Sequence, residues 1–269
     1  MKRTLAVSIA LYLSVFLIPL LTAGQAPLPP ERPNPSPAEE AEPPPAPFAE
    51  EPPPEPEFPE PVPPPELPDA GAAVTVLVGD GAARELTLRE FLYGAVAAEM
   101  PALYPEEALK AQAVAIRTFA LYASSHPYHE DALLCGNPEC CLAFSPLAER
   151  GEVWGGQYEE FAQKIVAAVE ETDGVVILYE SRPVEAVFFA ATDGRTRSAE
   201  EVWGAEVPYL QSVESIFDEE FPNGPKGHGV GMSQFGARQL ALAGLSYEEI
   251  LKWYYTGVEV ARLSAETGQ

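Results

Sequence analysis

Glu99 stands where a leucine is expected. In the stretch "TLREFLYGAVAAEMP" (Thr87 to Pro101), apolar residues recur at Leu88, Phe91, Leu92, Ala95 and Val96, the one-face spacing of an amphipathic helix, and Glu99 is the next position on that stripe. Thr87 and Glu90 form a capping box at the start of this helix. Pro101 ends it by pushing Met100 out of the α region. A carboxyl group at position 99 meets desolvation by the core and the negative end of its own helix dipole, and both favour the neutral form. A carboxylic acid held protonated near neutral pH is what general acid cleavage of a glycoside requires. The alternative is a partly exposed helix-end glutamate paired with Arg117 or Lys110, and such a cation would pull its pKa down instead.

Two further stretches carry chemistry. "GHGVGMSQFG" (Gly227 to Gly236) sets one of three histidines among glycines. Glycines let a backbone approach a ligand closely, and a helix opens directly afterwards, so His228, Ser233 and Gln234 are candidates to line a cleft. A conformationally demanding structural turn is the competing reading. The loop lacks the Lys-Ser/Thr of a phosphate-binding loop, no dinucleotide fingerprint sits in a βαβ unit, and no H-E-x-x-H is present. "HPYHEDALLCGNPECC" (His126 to Cys141) collects His129, Cys135, Cys140 and Cys141, with His126 as a spare ligand. Four soft donors in a short loop match a closed, structural zinc site, while a Cys135–Cys140 or Cys135–Cys141 disulfide with one free thiol stays open as the other reading.

Around these stretches the elements follow from pattern. "AVTVLV" from Ala73 reads as a strand and "DGAAREL" as a turn. After the Glu99 helix, Pro105 opens a second helix whose "ALKAQAVAIRTFALYA" is apolar nearly all round, with Gln112 and Arg117 as polar exceptions that need partners when buried. A helix near Phe161 to Val169 follows, then two strands about a turn at Ser181 to Pro183, a last helix capped by Ser246 and Glu249, and a terminal strand "GVEVARL". Mixed helices and strands without a βαβ repeat indicate an α+β fold.

The 269-residue chain carries a formal charge of −25, which argues against nucleic acid or an anionic membrane surface as partner. Residues 1–25 read as a signal peptide or membrane anchor: Lys2 and Arg3 precede a long uncharged apolar run. Residues 26–68 are nearly half Pro, with Glu and Ala making up most of the rest, a composition that forms no core and is expected to be a disordered, extended stalk. Residues 69–269 form the expected single domain, working outside the cytoplasm, with any membrane contact made only through the N-terminal segment.

The domain resembles the SpoIID/LytB family, named for stage II sporulation protein D and an amidase enhancer. The resemblance is carried by "LREFLYGAVAAEMPALYPEEALKAQAVAIRTFALY", by "AVEETDGVVILYESRPVEAVFFAATDGRTRSAEEVWG", by "PYLQSVES" and by "GHGVGMSQFGARQLALAGLSYEEILKWYYTGVEV". It implies a SpoIID-like domain with a cysteine-containing insertion. It also implies a lytic transglycosylase acting on peptidoglycan glycan strands stripped of stem peptides, with a cell-wall amidase as a further possible partner. By the same resemblance Glu99 of E-M-P is the catalytic acid, and Arg117, His228, Ser233 and Gln234 contact substrate. The family's His-x5-Cys-x4-His-Cys zinc spacing is reproduced by His129, Cys135, Cys140 and Cys141, with Cys140 where a histidine would stand; a structural zinc is expected there, and no cofactor is expected to be required for catalysis. Many members read F-H-S-T-S-G-G-R-T where this chain has "FFAATDGRT", so Phe189, Ala190 and Ala191 replace polar residues. The rival functions are a non-catalytic wall-binding module that recruits or stimulates an amidase, and a metal-dependent hydrolase built on the Cys/His cluster.

Overall fold

The structure is a computed structural model that describes residues 69–263 apart from 70, 80, 216, 219, 220 and 223. The expected signal segment (1–25) and stalk (26–68) lie outside the described residues. Among the described residues no helix is long and apolar enough to cross a membrane.

In chain order the elements are β1 (Ala73–Leu77), β2 (Ala83–Thr87), α1 (Leu88–Glu99), α2 (Glu106–Ser125), β3 (Leu134–Cys135), α3 (Gly151–Trp154), α4 (Tyr158–Glu171), β4 (Val175–Tyr179), β5 (Arg182–Pro183), β6 (Phe188–Phe189), α5 (Ala199–Trp203), β7 (Met232–Ser233), α6 (Gln234–Leu242), α7 (Tyr247–Tyr254) and β8 (Glu259–Arg262). Three small sheets join them: β2-β1-β3, β5-β4-β8, and the parallel pair β6-β7. This mixed helix-and-strand architecture is the α+β class that the pattern predicts.

The first hairpin corrects one expectation. The turn closes by Ala82, whose carbonyl accepts from the Val78 N–H, and "ARELT" then continues as β2, antiparallel to β1 from Leu77↔Ala83 to Ala73↔Thr87. Ala, Arg and Glu have poor strand propensity and three of these five residues are exposed, so pairing to β1 rather than local preference holds them extended.

Helix α1 is punctuated as its sequence predicts. The Thr87 side chain accepts from the Glu90 N–H while the Glu90 carboxylate accepts from the Thr87 N–H, and Met100 is extended at φ −123°, ψ 135°. Leu88, Phe91, Leu92, Ala95 and Val96 are all buried. Helix α2 is the central element, packed against α1, α4, α6, α7 and β4. One side of α2 (Leu109, Ala113, Ile116, Ala120) joins the core shared with α1 and α4. Ala111, Val114 and Ala115 join a second core with β4, α6 and α7. Alanines on both faces allow that double approach.

Arg117 lies in this wall. Its Nε and one terminal nitrogen donate to the two carboxylate oxygens of Asp69 at 2.8 and 2.7 Å, and its remaining contacts are the Val175 and Val169 carbonyls. The pair is almost wholly enclosed, with side-chain exposures of 1% and 0%. It pins the chain entering the domain to the central helix.

Candidate active site

Glu99 sits at the C-terminal end of α1 and borders a cleft of about 900 Å³. Its Oε1 accepts a short hydrogen bond from the Ala143 backbone N–H, and its Oε2 accepts from Gln234 Nε2 at 3.2 Å. Burial raises the Glu99 pKa, and these two N–H donors oppose the rise without cancelling it. The two cations that could have paired with it are engaged elsewhere: Lys110 binds Glu107 and Glu171, and Arg117 binds Asp69.

The glycine-rich loop forms the facing wall. Gly227, Gly229 and Gly231 all have positive φ, at 104°, 85° and 78°. At two of them the space is also closed: a Cβ on Gly227 would lie 2.7 Å from the Phe189 Cβ, and one on Gly231 would lie 2.1 Å from the Val187 carbonyl oxygen. The loop is stitched to the strand that carries β6. Ala191 and Lys226 exchange backbone hydrogen bonds, and the Phe235 N–H donates to the Ala190 carbonyl. His228 thereby reaches the cleft, its ring between Phe189 and Trp203 at centroid distances of 5.6 and 5.4 Å. Its Nδ1 accepts from the Val230 N–H, and burial lowers its pKa, so the imidazole is neutral at pH 7.

Of the residues expected to contact substrate, Glu99, His228 and Gln234 come together at this cleft. Ser233 does not line it. Fully buried, it caps α6, its Oγ accepting from the Gly236 N–H at 3.1 Å, and it thereby places Gln234 in the first turn facing Glu99. Arg117 is likewise not in the cleft, because Asp69 and two carbonyls hold its guanidinium inside the core. Neither Ser233 nor Arg117, both expected to contact substrate, is part of the cleft lining in this structure.

Three cleft residues carry no motif signal. The Ala143 N–H is a backbone group, which almost any residue type would supply. Trp203, 47% exposed at the end of α5, presents an aromatic face, and Lys226 is exposed at the rim. An exposed tryptophan in "EEVWG" was the one legible hint. At the replaced positions, Phe189 and Ala191 are buried, and Ala190 lines the cleft beside His228.

The Cys/His cluster adjoins the same cleft, with Cys140 and Cys141 in its lining. Cys135 is fixed by β3, which runs parallel to β1 with Leu77 opposite Cys135. The Asn137 carbonyl accepts from the N–H groups of both Cys140 and Cys141, a turn that presents the two thiols together. One donor atom from each of His129, Cys135, Cys140 and Cys141 lies within 4.8 Å of the others. All three cysteines are free. With Zn–S near 2.3 Å and Zn–N near 2.0 Å, a tetrahedral site separates two sulfurs by about 3.8 Å and a sulfur from a nitrogen by about 3.5 Å. The Cys140–Cys141 sulfurs are 3.9 Å apart, and His129 Nε2 is 3.4 Å from Cys141 Sγ and 3.7 Å from Cys140 Sγ. The donor set could hold a metal ion.

Residues 79–179 match the family model SpoIID, Stage II sporulation protein. Among curated proteins, the chain is similar to Stage II sporulation protein D of Bacillus subtilis (strain 168), at 28% identity over 260 residues, covering 67% of this chain and 76% of that protein. Stage II sporulation protein D of Bacillus amyloliquefaciens matches at 28% over 256 residues, 65% of this chain and 74% of that protein. The Amidase enhancer of Bacillus subtilis (strain 168) matches at 28% over 175 residues, 64% of this chain but 21% of its own length. The stretch matched by the model contains Glu99 and the whole Cys/His cluster, and together with these relatives it bears out the resemblance to the SpoIID/LytB family.

Proposed function

We propose that this protein is a peptidoglycan lytic transglycosylase that cleaves glycan strands, preferentially those stripped of stem peptides, outside the cytoplasm. The observation that carries the reading is a carboxyl group with a raised pKa, without a cationic partner among the described residues and held by two N–H donors at the wall of an open cleft. The names of the sporulation and amidase-enhancer relatives support a cell-wall role.

The chemistry needs one carboxyl group. Protonated Glu99 gives its proton to the glycosidic oxygen as the C1–O bond of muramic acid breaks. The C6 hydroxyl oxygen of the same sugar then closes on C1, and its proton returns to the Glu99 carboxylate. The products are a 1,6-anhydro-muramyl end and a free 4-hydroxyl on the departing sugar; water is neither consumed nor activated. That removes the need for the second carboxylate of most glycoside hydrolases. The Ala143 and Gln234 N–H groups stabilise the ionised carboxylate between the two proton transfers. Trp203 and the neutral His228 offer surfaces for sugar faces and hydroxyls. His129, Cys135, Cys140 and Cys141 would hold a structural zinc, whose chemistry is to fix the loop that leads from Cys141 to Ala143.

The test uses the full chain on glycan strands with and without stem peptides, with products read by mass spectrometry. Anhydro-muramyl ends from the wild type, reduced about 10²–10⁴-fold in Glu99→Gln, are the expected outcome. A second reading, a wall-binding module that stimulates an amidase, is favoured by the amidase-enhancer relative and by the apolar residues at 189–191. Glycan binding without any cleavage would select it.

A further inference from the structure

Glu99 and Ala98 also border a second cavity, of about 340 Å³, beyond the end of α1. Among the described residues its lining is apolar (Met100, Pro101, Leu103 and Phe161 among others) except for Glu99 and one cation, Arg150. Arg150 ends the short turn before α3, and its guanidinium lies over the Trp154 ring, 5.4 Å from the centroid. Trp154 is in turn braced edge-on by Phe161. The Arg150 Nε is buried with no hydrogen-bond partner among the described residues. A guanidinium is the side chain whose paired N–H groups take a carboxylate in two parallel hydrogen bonds. A cation lining a largely apolar cavity is a favourable partner for an anionic ligand.

We infer that this cavity is a subsite for the free lactyl carboxylate of a muramic acid unit, with Arg150 as its receptor. The inference rests on the glycan-cleaving reading and deepens it. While a stem peptide is attached, the lactyl carboxyl is a neutral amide; when the peptide has been removed, it is an anion. Arg150 therefore reads the presence or absence of the peptide by charge, at a position sharing two wall residues with the Glu99 cleft. In a chain of net charge −25, one cation in an apolar cavity beside an acid gives that anion a defined place to dock. The same anion, brought near Glu99, disfavours ionisation of the acid that must donate a proton.

The test separates binding from cleavage. The full chain carrying Glu99→Gln is titrated calorimetrically with a denuded tetrasaccharide of alternating N-acetylglucosamine and N-acetylmuramic acid. The comparison ligand is the same sugar with its lactyl carboxyls converted to methylamides. The free acid is expected to bind about ten- to a hundredfold more tightly. Adding Arg150→Gln should abolish that preference, and Arg150→Lys, which keeps the charge without the fork, should retain part of it. Equal affinity for the two sugars overturns the inference. So does a preference that survives Arg150→Gln, or one that disappears instead with Lys226→Gln in the larger cleft. A carboxylate preference in a protein that forms no anhydro ends would leave the subsite standing and sink the transglycosylase; anhydro ends without the preference would do the reverse.

Discussion

At the scale of single residues, the acid is set by a contest between burial and hydrogen bonding. Burial raises the Glu99 pKa; Ala143 and Gln234 restrain the rise. Each hydrogen bond favours the ionised form, so removing one must raise the pKa further. In the proposed mechanism the protonated acid is the working form, so kcat/KM is expected to fall as pH rises through the pKa of Glu99. Gln234→Leu is therefore expected to move this falling limb to higher pH while weakening the carboxylate stage of the reaction. A pH–rate profile of the two proteins measures the displacement; a limb that stays put or moves down would show that Gln234 does not govern the acid. The neutral His228, held by the Val230 N–H and enclosed by two aromatic rings, has no cation to contribute near pH 7. In the proposed function its place is therefore steric and hydrogen-bonding.

At the scale of elements, the site is where the C-terminal end of α1 meets the N-terminal end of α6, and the two ends are prepared differently. Helix α1 delivers Glu99 by running out of helix at Met100. Helix α6 delivers Gln234 by being capped at Ser233. Helix α2 stands behind both, and Arg117 acts there rather than in the cleft. Removing one partner of a buried pair leaves an uncompensated charge, at a cost of about 3–5 kcal/mol. Arg117→Ala is accordingly expected to lower Tm by several degrees. The variant's remaining folded fraction should show an unchanged pH limb, because Arg117 makes no hydrogen bond to Glu99. Asp69→Asn should reproduce the stability loss. A shifted limb at undiminished Tm would return Arg117 to the catalytic account.

At the scale of the whole molecule, the Cys/His loop joins the first sheet to the cleft. Cys135 is anchored on β3, Cys140 and Cys141 border the cleft, and two residues later the Ala143 N–H reaches Glu99. Four donors within 4.8 Å of one another would fill a tetrahedral site, which favours structural over hydrolytic use of a metal. One zinc per chain is expected by elemental analysis, and cobalt substitution should give the visible absorption of tetrahedral thiolate ligation. Chelation should lower Tm, since a metal that binds only the folded state adds to stability. Cys140→His should keep the metal, since imidazole is an equally good fourth donor, whereas Cys140→Ala should weaken it. Stoichiometric disulfide in place of metal would overturn this assignment.

How much of this was legible in the sequence follows from which interactions are local. The α1 stripe, its capping box, its stop before proline and the placement of Glu99 on the buried face are set by neighbours a few residues apart, and the pattern showed them. The donor spacing of the Cys/His loop was legible for the same reason. Strand β2 was not, because its extension is imposed by β1, and Ser233 read as a cleft residue because an N-cap hydroxyl and a ligand-binding hydroxyl look alike in sequence. Arg117 could be recognised as a polar residue in an apolar helix, yet its partner lies 48 positions away. The sequence by itself determined that a protonatable carboxyl would sit at the end of a buried helix, with a glycine loop and a four-donor cluster elsewhere in the chain. Only the tertiary structure decided that Gln234 and the Ala143 amide hold that carboxyl, that Arg117 stays in the core, and that Arg150 faces a cavity beside it. Hydrogen bonds and cavities between distant segments depend on how helices and loops pack in space, and no local pattern records that packing.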